Sequence, residues 1–248
     1  MEFLLGRRRV RGEGRDSMLA TDTETMQEAP WRSGLRSAQA NLRPGLVLQV
    51  AALALVIAYY QHEPTRAALN RLALWRAEAG VAFAMTTTGI FGGLLPFLYL
   101  RSQSATRHQY NWAQGASITA FWAYKGFEVD FWYRLLARFV GGGHEAKTIA
   151  IKSLLDQFIY CPLFAVPITA LIYFWTETRF DGAATAADVS AGGWYRRRVL
   201  PVLISNFGVW LPAVGVIYAL PTPLQLPLQN LVLCFFTLLV SHQTRRRR

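Results

Sequence analysis

The sequence predicts an all-α protein built as a multi-span transmembrane helical bundle. Hydrophobic residues make up 52% of its 248 residues and charged residues only 17%, well below the roughly 25% of an average soluble domain. The uncharged residues fall into long runs that arginine-rich segments separate. One modest soluble domain cannot bury so much apolar surface, so we expect the lipid bilayer to cover it.

The basic residues are placed to orient a membrane protein. The net charge is +11 and the pI about 10.2, yet the arginines stand in blocks at residues 7–9, 196–198 and 245–248, beside apolar runs. A nucleic-acid-binding protein would carry them along one face of a recognisable reading module. We therefore expect no nucleic-acid partner and assign the blocks to the positively charged side of a membrane.

Three segments are predicted along the chain. Residues 1–43 are polar and mixed in charge, and we expect a tail, disordered and outside the core. Residues 44–243 form a single transmembrane helical domain, and residues 244–248 form a basic C-terminal tail. The first residues are either a basic organelle-type leader or a solvated tail before a second start at Met18, and we favour the tail.

The first two predicted spans are separated by an amphipathic connector. Residues 45–60 are uncharged, although slightly short for a spanning helix. In the connector, Leu69, Leu72 and Trp75 recur at a helical spacing that predicts an interfacial helix. Residues 80–100 are long enough to span and rich in small residues, which allow close helix approach in lipid.

Residues 113–136 are ambiguous because this apolar, aromatic stretch also carries Lys125, Glu128 and Asp130. Charges inside a span are costly and normally face a partner or water. The segment is therefore either a span or an amphipathic helix lying at the surface. Lys125 and Glu128 are three residues apart, close enough to pair on one face of a helix.

The next predicted span covers residues 149–176, where Lys152 and Asp156 are the only charges. Their i, i+4 spacing places them on one helix face, where they can neutralise each other. Pro162 removes a backbone hydrogen bond and should kink the helix. We expect a Gly/Ala-rich loop over residues 178–193.

Two further uncharged runs, residues 199–220 and 224–240, complete the spans. Because both chain ends are strongly basic, they belong on one side of the membrane, which requires an even number of spans. We expect six spans, or four if residues 45–60 and 113–136 lie flat.

The sequence contains no recognisable catalytic or cofactor motif. Histidine and cysteine lack the spacings of metal sites, and no phosphate loop, dinucleotide fingerprint or nucleophile elbow is present. We therefore predict no catalytic residues, no metal and no cofactor. Cys161 and Cys234 lie in apolar runs and are expected to be buried free thiols.

Polar side chains within the apolar runs are the candidate functional residues. Each either joins helices through interhelical hydrogen bonds, the preferred interpretation for any single residue, or lines a path for a solute. For the set as a whole the two interpretations are equally supported. The set comprises Lys125, Glu128, Asp130, Lys152, Asp156, Gln157, Asn206 and Gln225.

Three motifs resemble those of a known family. Trp132-Tyr133 followed by leucine is similar to a W-Y-x-x-L stretch, and Lys152, Asp156, Gln157 and Pro162 match K-x-x-x-D-Q-x-x-x-x-P. A C-terminal stretch of the same family is matched by Asn206, Trp210, Pro212, Pro221, Gln225 and Ser241. Over residues 126–243 the chain resembles the Mpv-seventeen / peroxisomal-membrane-protein-twenty-two family.

The chain departs from the family pattern and resembles a divergent member. The family's G-D-x-x-x-Q segment is missing, Leu211 separates Trp210 from Pro212, and Gln225 replaces an arginine. The resemblance implies a small multi-span protein of a peroxisomal, mitochondrial inner or related membrane, in a family of which some members are thought to form pores. It carries over no catalytic residues.

Three functions remain open from the sequence. The chain is a channel or solute-permeability protein, a non-transporting structural or scaffold protein with Trp132, Tyr133 and Trp210 as interface anchors, or a membrane enzyme. An enzyme would need Glu128, Asp130 and Asp156 together in one water-filled cleft. The expected partners are the lipid bilayer and, as an open option, further copies of the chain. We expect the plasma membrane in a bacterium and the mitochondrial inner or another organelle membrane in a eukaryote.

Overall fold

The structure is a computed structural model that describes residues 30–104, 106–108 and 110–246, with side chains between residues 31 and 238 of these ranges. This described part of the chain is helical and contains no strand, so the predicted all-α fold class is confirmed. Its seven helices are α1 (Pro30–Gln61), α2 (Glu63–Ser102), α3 (Trp112–Phe139), α4 (Ala146–Glu177), α5 (Gly182–Ser190), α6 (Tyr195–Tyr218) and α7 (Thr222–Arg246).

The direction of each helix follows from its contacts. Gln49 donates to the carbonyl of Val209 at 3.0 Å and Tyr60 donates to the carbonyl of Ala219 at 2.7 Å, so α1 and α6 run parallel. We call the end of the bundle near Tyr60 and Ala219 the second end, and the opposite one the first end. The contact between α1 and α6 extends along both helices.

The remaining long helices alternate in direction. α3 is antiparallel to α2, since a Cβ on Gly126 would meet Ala84 and a Cβ on Gly93 would meet Thr119. α4 returns antiparallel to α3, and α7 runs parallel to α2 with Asn230 beside Thr88 at 3.0 Å. The described start of α1 and the described end of α7 therefore both lie at the first end of the bundle.

Four helices, α1, α2, α4 and α6, are long and apolar enough to cross a membrane. α3 and α7 traverse the same bundle, and α3 is packed against α2 instead of lying at the surface. Six long helices of the described residues thus cross the bundle, and the placement of both basic chain ends on one side of a membrane stays a prediction. The class of the protein is therefore an all-helical, multi-pass membrane bundle.

The tail predicted for residues 1–43 is wrong for its last part. Helix α1 begins at Pro30, and the buried Gly34 lies against Ile204 and Pro201 of α6. Small residues at this position let two helices pack closely even though arginines surround them. Residues 1–29, and with them the predicted leader or tail, lie outside the described residues.

The connector is helical, as predicted, and its interfacial position stays a prediction. Leu69 packs against the core, whereas the Trp75 side chain is 67% exposed and Arg76 is buried instead. The helix then changes direction at Gly80, whose φ of 55° is accessible to glycine at little cost. This bend turns α2 from the second end into the bundle.

The predicted loop over residues 178–193 contains a short helix, α5. The side chain of Asp181 caps it by accepting a hydrogen bond from the Ala184 backbone at 2.9 Å. Arg198 of α6 holds it from the other side, donating to Asp188 at 3.1 and 3.2 Å. An Asp N-cap and alanine-rich turns favour a helix over an irregular loop.

Segments of π-helix interrupt three of the long helices, at Gly89–Leu94, Asp156–Ala165 and Tyr195–Val199. Pro162 lies inside the second segment, where its missing N–H disturbs the normal hydrogen-bond ladder. The helix is π-helical at this proline, and the predicted kink stays a prediction. Short π-helical turns often occur at functional sites.

Candidate functional site

Seven polar and aromatic side chains from three helices meet inside the bundle, and we call them the Asp156 cluster. It joins the middle of α3 to the first half of α4 and to the last turn of α6. Its members are Lys125, Glu128, Trp132, Asp156, Gln157, Tyr160 and Tyr218.

Asp156 is the centre of this cluster and is only 5% exposed. One carboxylate oxygen accepts hydrogen bonds from Trp132 at 2.9 Å and from Tyr218 at 3.0 Å, and the other accepts one from Gln157 at 2.8 Å. Three donors from three helices surround the carboxylate. Such a satisfied group joins helices firmly because no acceptor is left exposed to hydrocarbon.

Lys125 and Glu128 of α3 form an ion pair, as their spacing predicts. Tyr160 of α4 completes the group, because its hydroxyl donates to Glu128 at 2.6 Å and lies 3.2 Å from the Lys125 ammonium. The ring of Tyr160 also stacks on Trp132 with centroids 4.9 Å apart. The Lys125 pair and Asp156 therefore belong to one continuous cluster.

Asp130 belongs to a separate group on another face of α3. It is 2% exposed and pairs with both Arg76 of α2 and Arg134, the latter at 2.8 Å. Arg76 also donates to the carbonyl of Thr222 at the start of α7, at 2.7 Å. This triad fixes the bent part of α2 at the second end of the bundle.

The predicted neutralisation of Lys152 by Asp156 is wrong. Lys152 is fully buried, but its ammonium forms no hydrogen bond with any residue that the structure describes. It stands 5.8 Å from the ring centroid of Tyr218, while the carboxylate of Asp156 is taken by Tyr218 and two other donors. The i, i+4 spacing places Lys152 and Asp156 on one face of α4, but the two side chains do not form an ion pair.

Asn206 and Gln225 lie at or beyond the edge of the cluster. The Asn206 amide donates to the Cys161 sulfur at 3.7 Å, and Gln157 reaches the same sulfur at 3.5 Å. Gln225 donates to the carbonyl of Leu220 at 2.9 Å, near the α6–α7 turn. Cys161 and Cys234 are both buried free thiols, as predicted.

Trp132 and Tyr133 are not interface anchors, which corrects one element of the scaffold hypothesis. Trp132 donates to Asp156, and Tyr133 is 2% exposed and donates to Gln229 of α7. Both side chains point into the protein because hydrogen-bond partners there satisfy their polar atoms. Trp210 is partly buried against the main core.

The remaining motif residues have local roles. The carbonyl of Pro162 accepts a hydrogen bond from Tyr195 at 3.0 Å, and that of Pro221 accepts one from the Leu224 backbone at 2.8 Å at the turn between α6 and α7. Pro212 is exposed within α6. Ser241 lies in α7 beyond the residues whose side chains are described.

A second group of side chains, from α2, α3, α4 and the segment before α3, lies toward the first end, and we call it the aromatic cluster. The phenol of Tyr110 donates to Glu177 at 3.4 Å, and burial with the nearby carboxylate raises the pKa of that phenol. A small apolar cavity of about 20 Å³ adjoins the cluster, apart from the Asp156 cluster. The members are Phe97, Leu100, Tyr110, Ile118, Phe121 and Tyr173, with Trp122 packed against them.

Two central residues were missed by the sequence analysis. Arg76 lies in the segment interpreted as a surface connector, and Tyr218 ends an apolar run. Neither position carries a local signal, because the partners of Arg76 and Tyr218 are 54 and 62 residues away in sequence. Only the arrangement of helices brings these partners together.

Several buried polar atoms near the Asp156 cluster have no hydrogen-bond partner among the described residues. They include the Lys152 ammonium, one oxygen of Glu128, the hydroxyl of Ser153 and the amide oxygen of Gln157. Buried polar atoms in proteins are normally bonded, so each exception calls for an explanation.

Compared with known proteins, the chain matches no protein-family model, no curated protein and no solved structure.

Proposed function

We propose that this multi-pass membrane protein is a channel or solute-permeability protein whose path passes the Asp156 cluster. The observation that carries the proposal is the set of charged side chains inside the bundle, Lys125, Glu128, Lys152 and Asp156. Ionisable residues at membrane depth are costly and commonly mark solute or ion pathways. The resemblance of the Lys152, Asp156 and Gln157 motif to the Mpv-seventeen family supports the same function.

The unbonded polar atoms favour permeability over pure helix packing. A cluster whose only role is to join helices is most stable when each of its polar atoms is hydrogen-bonded. Asp156 meets that expectation, but Lys152 and one oxygen of Glu128 do not. Side chains that bind a solute along its path would have such unbonded donors and acceptors.

A structural or scaffold protein is the second candidate, and the three hydrogen bonds to Asp156 favour it. On this alternative the cluster stabilises the bundle and passes nothing. The geometry does not favour a membrane enzyme. Asp130 pairs with Arg76 and Arg134, whereas Glu128 and Asp156 belong to the Asp156 cluster. The three carboxylates that such an enzyme needs therefore do not converge.

The test is solute flux through purified protein in proteoliposomes, measured for wild type, Glu128→Gln and Glu145→Gln. Gln in place of Glu128 keeps a carbonyl acceptor for Tyr160 but removes a buried charge. Glu145 is exposed, so the same change there is the matched control. We expect Glu128→Gln to change the cation-to-anion permeability ratio, whereas Glu145→Gln leaves it at the wild-type value.

Thermal unfolding in detergent must show that Glu128→Gln remains folded. Wild-type protein that passes no ion or small solute above empty vesicles would overturn the proposal in favour of the scaffold. An unchanged permeability ratio in folded Glu128→Gln would place the path elsewhere in the molecule, contrary to the proposal.

A further inference from the structure

The ammonium of Lys152 is the most unusual polar group in the bundle. Its side chain is wholly buried, and none of its three donors meets an acceptor in the described part of the protein. The ammonium faces the ring of Tyr218, whose centroid is 5.8 Å away. That distance is at the outer limit of a cation–π contact and leaves the N–H groups unused.

The obvious partner of Lys152 is committed elsewhere. Asp156 lies one helical turn further along α4, but its two oxygens already accept from Trp132, Tyr218 and Gln157. No ion pair within 4.0 Å joins Lys152 to an acidic residue of the described ranges. The other buried lysine, Lys125, differs in having its own carboxylate, Glu128.

A second unused donor belongs to the next residue of α4. The hydroxyl of Ser153 is buried and unbonded to the described residues. The two residues occupy the last turn before the π-helical segment that begins at Asp156. The Lys152 ammonium, close to a widened turn of helix, is a donor group that an anion would satisfy.

We propose that Lys152 binds a small anion of about the size of chloride. The proposal rests on the permeability function above and names its solute class as small anions. A buried ammonium without a partner is strongly unfavourable, and an anion supplies both the missing charge and the missing acceptors. A bound water would supply an acceptor without a charge, and a neutral amine would need no counter-charge.

Anion binding is tested on purified protein in detergent, in which chloride replaces gluconate at constant ionic strength. Wild-type protein should unfold at a temperature about 5 °C higher once chloride exceeds its dissociation constant roughly a hundredfold, since a ligand of the folded state stabilises it. Lys152→Met should lose this shift. Lys147→Met, on the exposed first turn of α4, is the matched control and should keep it.

A variant that keeps the positive charge of residue 152 distinguishes loss of the anion site from a folding defect. Lys152→Arg should retain the chloride-dependent shift, and the chloride-35 NMR line of wild-type samples should broaden. The inference is overturned if the wild-type midpoint ignores chloride, which is the result expected of a bound water or a neutral amine. It is equally overturned if folded Lys152→Met keeps the full shift.

Flux measurements separate this inference from the proposed function. In proteoliposomes, Lys152→Met should lower chloride permeability relative to potassium about tenfold, with Lys147→Met unchanged. If wild-type protein passes both ions and Lys152→Met keeps the same ratio, the anion site is wrong while the permeability function stands. If wild-type protein passes no solute, the permeability function fails, and the chloride shift alone decides the binding site.

Discussion

The Asp156 cluster and the aromatic cluster join the same two helices, α3 and α4, by different means. In the Asp156 cluster, a buried carboxylate receives three hydrogen bonds and an ion pair lies beside it. In the aromatic cluster, rings pack edge to face, as for Phe121 and Tyr173 at 6.2 Å, with one hydrogen bond between Trp122 and Tyr173.

The difference between the two clusters shows which region of the bundle contains charged side chains. Apolar packing alone can hold two helices together in lipid, and the aromatic cluster contains no Asp, Glu, Lys or Arg, although its Tyr110 phenol bonds to the Glu177 carboxylate at its edge. The charges of the Asp156 cluster therefore exceed what helix association requires. That excess is why we place the function near Asp156 and treat the aromatic cluster as packing.

The largest expected effect is that of Asp156→Leu. The substitution leaves Trp132, Tyr218 and Gln157 with unsatisfied donors, so we expect a loss of about 3 kcal/mol in the free energy of unfolding. Denaturant titration in mixed micelles would measure it. Asp156→Asn keeps an acceptor oxygen and should lose much less. Equal losses in the two variants would show that hydrogen bonding does not hold this region.

A medium effect is expected for Gly126→Ala, next to the Asp156 cluster. A Cβ there would lie 2.2 Å from the Ala84 carbonyl oxygen, so α2 and α3 must separate at a cost of about 2 kcal/mol. The same substitution at Gly215 meets nothing within 4 Å and serves as the control. A neutral result at Gly126, read from unfolding midpoints, would mean that polar bonding and not close packing positions α3.

The smallest effect is expected in the aromatic cluster, for Trp122→Phe. This change removes the hydrogen bond to Tyr173 at 3.0 Å but keeps an aromatic ring, so we expect a loss of about 1 kcal/mol. Trp75→Phe, at a site 67% exposed, is the matched control and should change stability little. A loss at Trp122 exceeding that of Asp156→Leu would reverse the ranking of the two regions.

Local patterns were enough to predict the positions of most helices and the Lys125–Glu128 pair. Uncharged runs locate the spans because a helix in lipid must present apolar side chains, and an i, i+3 ion pair depends on one helix only. The beginning of α1 was missed because the arginines within residues 30–43 make this segment polar in composition. The small residues that pack on α6 therefore give no recognisable apolar run. The resemblance to the Mpv-seventeen family stays a prediction.

The sequence by itself determined that the chain is an all-helical membrane bundle with polar residues inside its spans, because composition and helical spacing are local properties. Only the tertiary structure decided how those residues are paired. Asp156 bonds to Tyr218, 62 residues away, and this leaves Lys152 without the partner that its spacing suggested. A carboxylate binds the donors that helix packing brings to it, and nothing in the local sequence specifies that packing.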